Sequence, residues 1–276
     1  MAVIFVHVRK TSTQQSEPLA IMKAGSLHWA RMQLDQKACL SGSIIAQLNR
    51  FFAPEQATQS PTFKVLSGNH TGAFCLGADL TLLAQLAQHG DIAGLQNYAA
   101  DYLMLVNRIL TGRKDSVTSI SVVQGRALGA GMVMALALAS DIVIAEPQAE
   151  FMNPDILFND YPSSVLAKKL SNKASCDIVM DVVCSGKKFS AEALYELGLV
   201  DILCKKGCAD KAVYDLVARV RASSHGHIAL QKYRADHHGL SNKTRKILID
   251  RWVSNITNGD NRFIQYIRRL GRLQSE

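Results

Sequence analysis

Two glycine-rich segments, each set between a strand-like run and a helix-like run, constrain this chain more than any other feature. The first is Gly68-Asn69-His70-Thr71-Gly72-Ala73-Phe74-Cys75-Leu76-Gly77-Ala78-Asp79-Leu80, and the second is Gln124-Gly125-Arg126-Ala127-Leu128-Gly129-Ala130-Gly131. Residues without bulky side chains at such a joint let a ligand approach backbone N–H groups, and the helix start adds a field favourable to negative charge. Taken alone, each loop also has a plain reading as turn chemistry. The second has no lysine at Walker spacing and no G-x-G-x-x-G, which argues against a nucleotide-phosphate loop or a dinucleotide fold.

The surrounding pattern alternates. Residues 62–67, 119–124 and 141–145 read as strands, and 79–89, 92–110 and 129–139 as helices, which predicts βαβ units on a mostly parallel sheet. Upstream, the runs 2–8, 18–23 and 26–34 read as a β-meander with a hairpin signal at Ala24-Gly25, and 40–52 has helical spacing. Strands end with 200–204. Residues 209–223, 228–237, 242–257 and 261–273 then read as helices. Two regions result: a core over 1–204, and a helical region over 205–276 expected to pack on that core or on a neighbouring subunit.

The chain has 276 residues, of which 48% are hydrophobic and 20% charged. That usage argues against a disordered, collagen-like or coiled-coil chain. The net charge of +8 is unevenly placed, because residues 205–276 hold 15 of the 31 Lys and Arg but 6 of the 23 Asp and Glu. Such a balance points to an anionic partner, whether nucleic acid, membrane surface or phosphate-bearing small molecule. The six cysteines form no CxxC pair, and no His stands at zinc-ligand spacing, so neither a disulfide framework nor a metal is expected. Residues 1–10 lack a signal-peptide pattern, and no apolar run reaches transmembrane length. A cytoplasmic protein without a membrane partner is the expectation.

The pair of glycine loops, together with two segments downstream of them, resembles the enoyl-CoA hydratase/isomerase (crotonase) superfamily. AFCLGADL at 73–80 looks like the family's A-F-x-x-G-A-D-[LI] segment, and QGRALGAG at 124–131 looks like its N-G-x-A-x-G-G-G segment. SDIVIAEPQAEFMNPDILF at 140–158 resembles the strand and loop that come next, and KKFSAEALYELGLVD at 187–201 the helix and turn beyond. The likeness runs from about residue 26 to 222. Lys37-Ala38-Cys39-Leu40-Ser41 and the final helices around Trp252 resemble the diffusible-signal-factor synthase branch. This resemblance implies an α/β fold, the crotonase (ClpP-like) spiral of ββα units, with a C-terminal helical region. It also implies a lyase or isomerase of fatty acid metabolism acting on acyl-CoA or acyl-carrier-protein thioesters, with coenzyme A as part of the substrate and no further cofactor. A homotrimer or hexamer is implied as well, with nucleic acid not favoured as a partner.

By motif position, the resemblance makes the backbone amides of Leu76 and Ala130 an oxyanion hole, where two N–H groups stabilise an enolate oxygen. Lys37, Ala38, Ala78 and Asp79 fall where the family binds coenzyme A, although Asp79 also reads as a helix cap. The usual pair of catalytic glutamates is missing. One position is Val133, which carries no proton, and the other is Asp155, one methylene shorter. Ser163 stands where the family has the glycine of a Pro-Gly pair. Two-acid hydration is therefore not expected. Isomerisation, decarboxylation or hydrolysis is favoured, with Asp155 as the acid/base, since proton abstraction beside a polarised carbonyl needs one base. Asp155 has a competing reading as a turn cap, while His70, Asp160 and Tyr161 read as ordinary loop residues. The alternative for the whole chain is a catalytically degenerate binding protein whose basic tail takes protein or RNA.

Overall fold

The computed structural model of the chain describes residues 18–33, 37–54, 61–68, 72–111, 117–138, 141–154, 166–167, 170–171, 173–223, 226, 241–258 and 261–274. Strands β1 (Leu19–Ala24) and β2 (Leu27–Met32) form the expected hairpin. Its turn contains Gly25 at φ 60°, a left-handed conformation that glycine adopts without a Cβ penalty. The run 2–8 lies outside the described residues. Helix α1 (Gly42–Phe51) starts where the Ser41 hydroxyl accepts from the Ile44 N–H.

From there the chain alternates between two sheets. Strands β3 (Thr62–Gly68), β5 (Val117–Val123), β7 (Ile142–Ala145) and β10 (Ile202–Leu203) extend the hairpin into a six-stranded sheet of order β1-β2-β3-β5-β7-β10, parallel beyond the first pair. Each of β3, β5 and β7 is soon followed by a short strand: β4 (Ala73–Cys75), β6 (Arg126–Leu128) and β8 (Glu150–Met152). With β9 (Lys188–Ser190), these form a second sheet, β4-β6-β8-β9, parallel except for its last pair. The mostly parallel sheet read from the sequence is thus two sheets, and both glycine-rich joints contain a strand of the second one. Three residues are too few for an alternating pattern to register.

Strands β3 and β5 are buried almost throughout, the mark of a parallel sheet covered on both faces. Helices α2 (Leu80–Gln88) and α3 (Ile92–Thr111) contribute Leu83, Leu95 and Leu105 to the larger core, which also takes Leu66 and Val123 of the sheet. On the opposite face, Phe63, Val65, Ile120 and Val122 meet Val213, Leu216 and Val217 of α7 (Ala209–Ala222). Each such side chain contributes about 1.5–3 kcal/mol of transfer free energy. Lys64, only 2% exposed, sends its ammonium to the Phe51 and Ala53 carbonyls at 2.7 and 3.2 Å. A buried cation thereby satisfies the acceptors left at the end of α1.

The helix expected over 129–139 begins as α4 (Ala130–Val133) and widens into a π-helical turn, Met134–Leu138. Helix α5 (Cys176–Cys184) had no counterpart in the sequence reading; Val179, Val182 and Val183 line its buried face. After the short α6 (Ala191–Glu196), helices α8 (Asn242–Thr257) and α9 (Asn261–Leu273) have the expected bounds. Helix α8 lies on α3, and α9 lies on α2. The helix expected over 228–237 lies outside the described residues. No described helix is long and apolar enough to cross a membrane.

Candidate active site

Three segments converge: the loop after β4, residues 37–41 before α1, and the start of α4. Leu76 and Ala130 lie 54 positions apart in sequence, yet Gly77 brings their surroundings together. At φ 97°, a Cβ on Gly77 would meet the Leu128 carbonyl at 3.0 Å and the Ala130 nitrogen at 3.5 Å. A glycine here is what lets the loop lie against the entrance of α4. Gly129, at φ 51° and ψ −123°, turns the chain out of β6 while its N–H donates to the Met152 carbonyl at 2.9 Å. Ala130 is then the first residue of α4, where a backbone N–H has no partner within the helix. Among the described residues it has no acceptor at all. Gly131 leaves no room for a side chain, because a Cβ would sit 2.1 Å from the Cys75 carbonyl oxygen.

The other candidate donor is engaged. The Leu76 N–H donates to the Ala38 carbonyl at 2.5 Å, and the Leu40 N–H donates to the Gly77 carbonyl at 2.8 Å. The segment 38–40 thus runs alongside 76–78 as a short parallel bridge. Ala38 is 6% exposed, and Ala78 is half-buried against the larger core.

Asp79 performs the capping role that its position implied, accepting from the Leu82 N–H at 3.1 Å. The same oxygen takes the Lys37 ammonium at 3.2 Å. With the lysine side chain a third exposed, this pair contributes about 0–1 kcal/mol and mainly orients both groups. Tyr98 of α3 ties the segments from below: its hydroxyl donates to the Leu40 carbonyl at 2.7 Å and accepts from the Asp79 N–H at 3.1 Å. Burial pushes this phenol well above its usual range, so it stays protonated. Its ring stacks on Trp252 at 6.0 Å. Burial also lifts both neighbouring thiols, Cys39 and Cys75, to about 12. Neither is a thiolate near neutral pH, so neither serves as a nucleophile.

A further residue at this junction was not singled out from the sequence. Gln274, just beyond α9, donates through Nε2 to the Leu76 and Ala78 carbonyls, both at 2.9 Å. Its Oε1 accepts from the Leu80 N–H at 3.4 Å, and its main-chain carbonyl accepts from the Ala38 N–H at 3.3 Å. No local motif marks it, since the nearest partner of its side chain is 194 positions away in sequence.

Val133, which the motif resemblance set at the position of one expected glutamate, is 2% exposed and apolar. Asp155, His70, Asp160, Tyr161 and Ser163 lie outside the described residues. Asn153, fully buried, fixes the exit from β8 by donating to the Val183 carbonyl at 2.8 Å. No group of three or more metal-competent side chains occurs among the described residues.

Compared with known proteins, residues 30–258 match the family model described as enoyl-CoA hydratase/isomerase. The chain belongs to this family. It is 27% identical over 168 residues to the peroxisomal fatty acid beta-oxidation multifunctional protein AIM1 of Arabidopsis thaliana, which covers 61% of this chain and 22% of that protein. It is 28% identical over 165 residues to the mitochondrial enoyl-CoA hydratase of Pongo abelii, covering 60% of this chain and 53% of the relative. The match therefore spans from about a fifth to about half of these relatives' own length. Among solved structures, the enoyl-CoA hydratase of Bacillus halodurans superposes with a TM-score of 0.75 at 17% identity, over 92% of this chain and 99% of that one. At that identity the superposition speaks for the fold: the spiral of long strand, short strand and helix is the crotonase architecture that the glycine-loop motifs implied.

Proposed function

We propose that the chain converts an acyl thioester of coenzyme A or of an acyl carrier protein by isomerisation, decarboxylation or hydrolysis, rather than by ordinary hydration. The Leu76 and Ala130 amides would hold the thioester oxygen as an enolate forms, and Asp155 would carry the proton. The observation that carries this reading is the apolar burial of Val133, the residue that the motif resemblance sets at one of a two-acid hydratase's glutamate positions. Adding water across a double bond requires one group to activate the water and a proton delivered to the neighbouring carbon. Removing a proton beside a polarised carbonyl requires a single base, and the oxyanion hole supplies much of the lowering of the barrier. Family membership and the Ala130 N–H, which has no acceptor among the described residues, support the same reading. A cytoplasmic homotrimer or hexamer, with coenzyme A entering only as part of the substrate, completes the proposal.

The test is a panel of acyl-CoA and acyl-carrier-protein thioesters, with products read by mass and, because isomerisation leaves mass unchanged, by chromatography. Turnover that is lost in Asp155→Asn is expected; undiminished turnover in that variant removes Asp155 from the mechanism. The second reading is a non-catalytic binding protein. It is supported by the Leu76 N–H being given to Ala38 and by the exposed Lys243, Lys246, Arg268, Arg269 and Arg272 on α8 and α9. RNA binding with a steep salt dependence and no turnover would favour it.

A further inference from the structure

We infer that the turn at the end of α9 is a latch, in which Gln274 occupies the place of the carrier's adenine and holds the candidate oxyanion donor Leu76 turned away from the site. The inference rests on the thioester function proposed above and adds a regulation of that same site. Its basis is the unusually complete set of bonds around one glutamine. The side chain donates to two carbonyls, Leu76 and Ala78, and accepts from one amide, Leu80, while the main chain accepts from Ala38. Gln274 is only 7% exposed, although glutamine is ordinarily a surface residue.

A carboxamide presents an NH2 donor beside an acceptor. Adenine presents the same pair, its exocyclic N6 amine beside a ring nitrogen. Carbonyls that satisfy the first therefore suit the second, and Ala38 and Ala78 are among the residues assigned to the coenzyme by motif position. One ligand or the other fits, not both.

The docking of α9 is built for close contact. A Cβ on Gly271 would meet Thr81 Oγ1 at 2.7 Å and the Thr81 nitrogen at 2.9 Å, so only glycine lets the helix rest on the first turn of α2. Arg268 adds a bond to Gln88 at the other end of that helix. The latch also couples two sites. The Ala38 N–H that Gln274 holds belongs to the same residue whose carbonyl takes the Leu76 N–H. Withdrawing Gln274 loosens the Ala38 end of the segment, while Leu40 stays held by the Gly77 carbonyl and the Tyr98 hydroxyl, and lets the Leu76 amide turn back to the site. Gln274 is thus a positioning residue: it touches no reacting atom and acts through Ala38.

The experiment uses the full chain, in wild-type form and as Gln274→Glu and Gly271→Val. The first substitution turns a carboxylate toward two carbonyls, and the second pushes α9 off α2 without altering Gln274. Calorimetric titration with coenzyme A should give binding at least about tenfold tighter in either variant than in wild type, the loss of competing neutral hydrogen bonds setting that scale. Titration with 4′-phosphopantetheine, which lacks the adenine, should show no such gain. In wild type, saturating coenzyme A should speed hydrogen exchange over residues 270–274, the reverse of ordinary ligand protection. That measurement needs no variant to fold. Coenzyme A that binds wild type and variants alike, or slows exchange over 270–274, overturns the latch while leaving the thioester function standing. Absence of coenzyme A binding in all three forms overturns the latch, and absence of turnover across the coenzyme A and carrier-protein thioester panel overturns the function beneath it.

Discussion

Removing one oxygen atom, in Tyr98→Phe, tests whether the candidate site is held together from beneath. The hydroxyl serves two partners on different segments, the Leu40 carbonyl at 2.7 Å and the Asp79 N–H at 3.1 Å, and these residues are 0% and 8% exposed. Phenylalanine keeps the ring and its stacking on Trp252, so the apolar burial is unchanged and the loss is confined to hydrogen bonding. Stranding buried polar groups in this way costs about 1–3 kcal/mol. At about 2.1 cal/mol/K of unfolding entropy per residue, a chain of this length should lose about 2–5 °C in Tm. Thermal unfolding followed by circular dichroism measures the shift, and hydrogen exchange at Asp79 should quicken in parallel. Tyr98→Leu, which also loses the ring contact, should fall further. A Tyr98→Phe protein with the wild-type Tm and unchanged Asp79 exchange would refute the bridging role.

Two other outcomes are expected in the same region. Gly131→Ala places a methyl 2.1 Å from the Cys75 carbonyl oxygen, which must displace backbone. The expected cost is about 1–3 kcal/mol in denaturant unfolding, with thioester turnover falling more steeply than stability because Ala130 moves with its neighbour. The buried thiols predict an alkaline limit. Cys39 and Cys75 are lifted from 9.0 to about 12, chiefly by burial. The folded chain therefore keeps protons that the unfolded chain releases, so this stability is complete below pH 9 and declines as pH rises toward 12. The decline is about 1.4 kcal/mol per pH unit for each thiol. Denaturant midpoints across that range should fall more gently in a Cys39→Ala/Cys75→Ala variant, and equal slopes would count against the assignment.

Local signals carried much of the molecule. Asp79 could be read as a cap because a capping side chain acts within its own turn, three residues from its partner. The bounds of α8 and α9 followed from helical spacing between polar ends, and the two glycine loops announced places where backbones must approach. That Val133 carries no proton was equally legible, since an isopropyl group has the same chemistry in any fold. Short strands such as β4 and β6 were not, because three residues pair only if a second sheet is present to receive them.

What the sequence determined by itself, then, was the α/β class, the family motifs and the identity of the groups available for chemistry, all properties of a residue and its near neighbours. The tertiary structure alone decided how those groups are spent: the Leu76 amide on Ala38, the Lys64 ammonium on the end of α1, and the Gln274 carboxamide on a loop 198 positions away. Each is a hydrogen bond between groups distant in the chain. Its partner is chosen by which backbones packing brings within about 3 Å, a distance that no local pattern encodes.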